Sequence, residues 1–230
     1  MSTDDRDLSR DRKTMSCGIG SLKEAVSDIN KFLAILIHNT RYLDIIGTHQ
    51  AVIDIKKKYG LELSPILKIL LTTNGSVTQA LQSIQDLPTT RVRVKTLNQV
   101  IVGLSGEEII DSIYTYLHIS RGASFNYRKV VLHANDKNLA LAISLTPLYR
   151  LGKDFQDDLL RADKPIGFIL EKYKLEVLRR ISVIDAVADY GFFAEVFKTK
   201  PGQLIPYRVY DVMLHDEILM KIAEFFNPSL

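Results

Sequence analysis

A single cysteine, Cys17, among 230 residues rules out an internal disulfide. Such a chain is compatible with a reducing compartment. The Gly and Ser neighbours of Cys17 supply no group that would lower a thiol pKa, so no nucleophilic role is assigned to it. No run approaches the roughly 18 apolar residues of a membrane span. The opening MSTDDRDLSRDRKT alternates charge, lacks the apolar core of a secretory signal, and is too acidic for a transit peptide. The expected location is the cytoplasm, or the plastid stroma if the gene is organellar. Excess charge is missing too: 30 basic residues face 27 acidic ones, a net of +3. Composition therefore does not call for nucleic acid as a partner, whereas a mildly positive pocket for an anionic metabolite fits it.

Several chemical signatures are also absent. Without Gly-x-Gly-x-x-Gly or a phosphate loop, nucleotide binding has no support. The histidines His38, His49, His118, His133 and His215 show no ligand spacing, and no cysteine pair exists, so neither zinc nor haem is expected. There is no Gly-x-Ser-x-Gly elbow. The basic and aromatic run Tyr207-Arg208-Val209-Tyr210 is too short to argue for nucleic acid. Any chemistry must then rest on a few charged side chains in a closed pocket, without metal or cofactor.

What is present reads as α+β. Residues 1–18 are charge-dense and expected to be a disordered tail. From Ser21, an N-cap with Glu24 three residues on, Leu22, Ala25, Val26, Ile29, Phe32 and Leu33 recur at helical spacing. A second amphipathic helix runs from about Tyr42 to Tyr59, with Gly60 as its stop. Residues 19–60 are thus a helical extension ahead of a domain over 61–230. Ser64-Pro65 opens a short helix, Asn74-Gly75 turns it, and Ser76 caps another from Val77 to Ile84. After Pro88 the period becomes that of a strand, with Arg91 to Lys95 alternating strictly. Residues 107–118 read as a helix. Tyr127–His133 and Leu139–Leu145 form a hairpin through the five turn residues 134–138, and Pro147 ends it. A helix over 154–162, the punctuation Pro165-Ile166-Gly167, and a β-rich run over 175–187 follow. Two final strands, Ile205–Leu214 and Ile218–Phe226, turn through His215-Asp216-Glu217. Hairpin links imply one antiparallel sheet rather than a doubly wound one.

Four segments, in order and at consistent spacing over residues 62–228, resemble the chorismate pyruvate-lyase family, especially its shorter archaeal, cyanobacterial, plastid and mycobacterial branch. Leu70-Leu71-Thr72-Thr73-Asn74-Gly75-Ser76-Val77-Thr78 is similar to its entry segment. Tyr127-Arg128-Lys129-Val130-Val131-Leu132 is similar to its R-x-V-x-L strand, with Ala142, Ser144 and Pro147 following. Lys164-Pro165-Ile166-Gly167 is similar to its P-L/I-G element. Arg208-Val209-Tyr210 through Ile222-Ala223-Glu224-Phe225-Phe226-Asn227-Pro228 is similar to its closing hairpin.

The resemblance implies a six-stranded antiparallel sheet flanked by helices, and a pocket that closes over 4-hydroxybenzoate, the product made with pyruvate from chorismate. It implies that Arg128 holds the ring carboxylate, that Glu224 meets the hydroxyl end, and that Ile166 and Val77 contribute backbone contacts. Arg128 and Glu224 are the catalytic candidates. The chemistry suits them: a guanidinium clamps a carboxylate at two points, and a carboxyl in an apolar pocket can exchange a proton near neutrality. Glu224 shares a strand face with Ile222 and Phe226, where a carboxylate is costly unless paired. Arg208, on one face with Tyr210, is read as a second positive charge near the pyruvyl end. The alternative is a non-catalytic sensor of small aromatic acids, since the fold also resembles effector-binding domains of transcription regulators.

Overall fold

The computed structural model describes residues 21–37, 41–85, 90–103 and 112–230. The expected tail over 1–18, Cys17, the Pro88 boundary and the first half of the 107–118 helix lie outside the described residues.

Local chemistry accounts for the helix ends. The Ser21 hydroxyl accepts from the Glu24 N–H at 3.4 Å where α1 (Leu22–Ile37) begins. Asp44 caps α2 (Ile45–Tyr59) by accepting from the Gly47 N–H at 2.6 Å, so this helix starts three residues later than Tyr42. Gly60, at φ 68°, ends it in the left-handed conformation that glycine adopts without strain. Ser64 and Ser76 cap α3 (Pro65–Thr72) and α4 (Val77–Ser83) in the same manner. Next come β1 (Arg93–Val102), α5 (Ser112–Leu117), β2 (Phe125–Ala134), β3 (Lys137–Pro147), α6 (Lys153–Leu160), α7 (Ile166–Lys172), β4 (Leu178–Ala188), α8 (Ala194–Phe197), β5 (Leu204–Leu214) and β6 (Glu217–Phe226). Two of these escaped the sequence reading, α7 and α8. Seven and four residues are too few to display a helical period.

The six strands form one antiparallel sheet in the order β1-β2-β3-β6-β5-β4. Both hairpin turns are tighter than expected. Only Asn135 and Asp136 join β2 to β3, and only His215 and Asp216 join β5 to β6. His215 and Asp216 both take positive φ, 48° and 64°, the geometry of a two-residue turn whose twist matches its strands.

Apolar clusters cover both faces of the sheet. One, built on Leu132, Tyr210, Ile222 and Phe226, gathers residues of α2, α3, α4, α6 and α7. The other, built on Tyr127, Val209 and Phe225, gathers α1, α5 and α8. β2, β5 and β6 are buried on both sides along nearly their whole length, while the edge strand β1 exposes Arg93 and Lys95 at its start. The N-terminal helices belong to these layers. Asp28 of α1 is buried, accepts from Tyr127 Oη at 2.9 Å, and pairs with Lys129 at 2.9 Å. The Leu43 N–H donates to the Ile181 carbonyl at 2.8 Å on edge strand β4. Tyr42 Oη donates to buried Asp211 at 2.7 Å, and Asp211 pairs with buried Lys221.

Candidate functional site

Between the sheet and the first turns of α4 and α7 lies a partly open cavity of about 50 Å³. Its floor is Arg128, Val130 and Leu132 of β2, Ala142 and Ser144 of β3, Ile222 and Glu224 of β6, and Tyr210 and Val212 of β5. Its roof is Ser76, Val77 and Thr78 with Pro165, Ile166, Gly167 and Leu170. Val77 and Ile166 are the first residues of their helices, where backbone N–H groups have no intrahelical acceptor. The two helix starts touch through Gly167. A Cβ at that position would sit 2.7 Å from Ser76 Oγ, so only glycine allows this closeness. Four of the five site residues nominated from sequence, Arg128, Glu224, Ile166 and Val77, therefore line one cavity.

Arg128 stands out chemically. Its neighbours Tyr127 and Lys129 point to the opposite face and α1, so the polar run that resembles a solvated strand is enclosed on both sides. The side chain is only 1% exposed. Nη2 donates to the Lys164 carbonyl at 2.8 Å, but Nε and Nη1 have no hydrogen-bond partner. Burial pulls its pKa down to about 10, with the charge of Asp163 partly opposing that effect. A buried cation with two idle donors is costly unless an anion meets it.

Glu224 is not the solitary carboxyl on an apolar face that strand alternation suggests. It accepts from Arg208 Nε at 2.8 Å and from Tyr210 Oη at 3.1 Å. Burial, and then the charge of Glu224, push the Tyr210 phenol upward, which keeps it protonated as a donor. Arg208, fully buried, does not line the cavity. It lies behind Glu224 at the same end of the pocket, stacks over the Tyr210 ring at 4.7 Å, and donates through Nη1 to the Thr73 carbonyl. Arg208 thus braces both the carboxylate and the turn that launches α4. Because Arg208 does not line the cavity, its positive charge acts there through Glu224 and Tyr210.

Arg128 and Glu224 face the same cavity from β2 and β6, with β3 between them and one register row apart. Strand spacing and rise put their Cα atoms about 12 Å apart. Both side chains line the cavity, which so carries a cation at one end and a hydrogen-bond acceptor at the other. Tyr210 and Arg179 also line the site. Tyr210 was legible as a partner of Arg208 on one strand face. Arg179 was not, because a bulge between Ile181 and Val183 breaks the alternation that would have assigned its face. Among the described residues no group of His, Cys, Asp and Glu could hold a metal ion, and no helix is long and apolar enough to cross a membrane.

Comparison with known proteins gives concordant results. A family model described as chorismate pyruvate-lyase Rv2949c-like matches residues 71–230. A protein of Methanocaldococcus jannaschii named "Putative lyase MJ0807" is 34% identical over 164 residues, 69% of this chain and 76% of that protein. Among solved structures, the effector domain of PhnF from Mycobacterium smegmatis superposes with a TM-score of 0.53 at 10% identity, covering 68% of this chain and 91% of its own. The gene product SA0254 of Staphylococcus aureus gives 0.50 at 11% identity, covering 67% and 88%. These two likenesses concern the fold alone.

Proposed function

Because the chain belongs to the chorismate pyruvate-lyase Rv2949c-like family, we propose that its cavity binds chorismate and releases 4-hydroxybenzoate and pyruvate. The observation that carries this reading is Arg128: a buried guanidinium with two idle donors, facing an apolar cavity with a carboxylate at its far end. In this reading Arg128 clamps the ring carboxylate through Nε and Nη1. The Glu224 carboxylate, held by Arg208 and Tyr210, accepts from the ring hydroxyl opposite. In the same reading the first N–H groups of α4 and α7, at Val77 and Ile166, contact the ring's substituents.

The reaction asks little of the protein beyond this. The C3–O bond breaks as the C4 hydrogen leaves as a proton. That C–H electron pair completes the aromatic ring, and the C3–O pair departs with the enolpyruvyl oxygen. The enol then takes up a proton on its methylene carbon and becomes pyruvate, so no net proton is consumed. Aromatisation supplies the driving force. The protein's contribution is to fix the ring between two charged ends, exclude water, and hold the ether in a reactive geometry. A closed apolar pocket also retains the flat product, so release is expected to limit turnover.

The test is to mix the purified protein with chorismate, without added metal or cofactor, and to follow 4-hydroxybenzoate by chromatography. Arg128→Ala and Glu224→Ala run in parallel. Product from the native protein, lost in both variants, supports the reading and both roles. Product that persists in a variant removes that residue's role. Tight binding of 4-hydroxybenzoate without turnover would support the sensor reading instead, which the PhnF effector-domain fold makes physically reasonable.

A further inference from the structure

Three charged side chains line the cavity: Arg128, Glu224 and Arg179. Glu224 is neutralised by Arg208 directly behind it. Arg128 and Arg179 are left as two positive charges, and among the described residues neither has a carboxylate within ion-pair distance. The neighbouring Arg180 is engaged elsewhere, over the Tyr42 ring and beside Asp216, so the two adjacent arginines are not equivalent. Arg179 enters from β4, opposite Val212, which also lines the cavity. Its charge reaches the phenol of Tyr210, the residue that donates to Glu224. In the register Arg179 stands across Tyr210 from Glu224, so it flanks the line from Arg128 to Glu224 on the β4 side. Arg128 sits on β2, four strand spacings away, roughly 19 Å of backbone. Two arginines reaching inward shorten that span to the scale of a small dianion.

We infer that Arg179 receives the second carboxylate of the substrate, the one on the three-carbon side chain that leaves as pyruvate. The assignment rests on the lyase reading and deepens it. The side chain of chorismate branches from the ring carbon next to the hydroxyl-bearing carbon. A cation off the Arg128–Glu224 line, across Tyr210, is positioned for a substituent that branches from the side of the ring, and Arg128 at the carboxylate end is not. The consequence is asymmetric. Substrate carries two carboxylates and engages both arginines. The aromatic product keeps one carboxylate and engages Arg128 alone. Arg179 thereby discriminates substrate from product, and cleavage removes its partner.

The experiment compares the native protein with Arg179→Gln, Arg179→Lys and Arg128→Met. Two quantities are measured for each: kcat/KM for chorismate, and Kd for 4-hydroxybenzoate by calorimetry. Loss of a charge-assisted hydrogen bond predicts that Arg179→Gln lowers kcat/KM roughly 10- to 100-fold. The Kd for 4-hydroxybenzoate should stay within about twofold, because the product never used that arginine. Arg179→Lys should recover part of the loss, since it keeps the charge but not the planar fork. Arg128→Met should lose both quantities. If Arg179→Gln weakens both alike, it has disturbed the pocket generally and the assignment is overturned. If it changes neither while the native protein turns chorismate over, the assignment falls and the lyase reading stands. If the native protein neither cleaves nor binds chorismate, both fall together.

Discussion

Arg128→Met is the most informative single change, because it separates the cost of a buried charge from its use. In the free protein this guanidinium is 1% exposed, has two idle donors, and is held at about 10 by burial. A tenfold change in proton affinity corresponds to about 1.4 kcal/mol, so the displacement represents roughly 3 kcal/mol of desolvation cost. The folded state depresses the pKa of a cation, so the cost is present in full below pH 10 and fades only above it. At neutral pH methionine removes the whole of it. Against this stands the lost bond from Nη2 to the Lys164 carbonyl, worth about 1.5–3 kcal/mol to a charged donor. The ligand-free variant should therefore match the native protein or exceed it by up to roughly 1.5 kcal/mol, a rise in Tm of no more than about 5 °C. Ligand reverses the order. With 4-hydroxybenzoate at about 100 times its Kd, the native protein should gain near 2.7 kcal/mol, and the variant should gain nothing. Thermal and urea denaturation with and without ligand read both numbers. A fall of many degrees in the ligand-free variant would refute the reasoning, since Arg128 would then be a structural partner. So would an undiminished gain on adding ligand.

Arg208→Met provides the contrast at equal burial. It strands the Glu224 carboxylate and should cost about 3–5 kcal/mol, with the Arg208→Met/Glu224→Gln double variant recovering part of that loss in a double-mutant cycle; additive losses would deny the pair its coupling. Gly167→Ala forces a Cβ against Ser76 Oγ and should separate α7 from α4, costing about 1–3 kcal/mol and weakening 4-hydroxybenzoate binding. Pairing it with Ser76→Ala should restore binding if the clash is the cause, and calorimetry decides. Burial first of all raises the ionisation of Tyr116, Tyr127, Tyr207 and Tyr210 above the ordinary tyrosine range. Their neutral forms belong to the fold, so the stability they contribute is complete below about pH 10 and is lost above it. Tyrosinate absorbance should then rise together with the loss of helical circular dichroism in one alkaline transition. Titration of all the tyrosines near pH 10 in an intact fold would contradict this.

The boundaries of α3, α4, β5 and β6 were legible because serine caps, Asn-Gly and long apolar runs act over a few residues of local chain. The α+β class followed from hairpin-sized gaps between those runs. Short elements were not legible. Nothing in the seven residues from Ile166 distinguishes a helix from a turn after Pro165; packing against α4 and the sheet decides it. The bulge in β4 is a property of its pairing with β5, and it hid the face of Arg179.

By itself the amino-acid sequence determined a predominantly antiparallel sheet and Glu224 as a charge out of place on an apolar strand, whereas Arg128, in a polar run, was singled out by the family resemblance. Only the tertiary structure decided what those charges meet. Arg128 lies on β2, and Arg208 and Glu224 lie on β5 and β6. Which of them pair is fixed by a strand order that brings β6 between β3 and β5, and by helices that seal one face. Pairing energies act over a few ångströms, while these residues are 16 to nearly 100 positions apart in the chain. Proximity across such separations belongs to the fold, and with it the division of the arginines into one that braces Glu224 and two that are left facing the cavity.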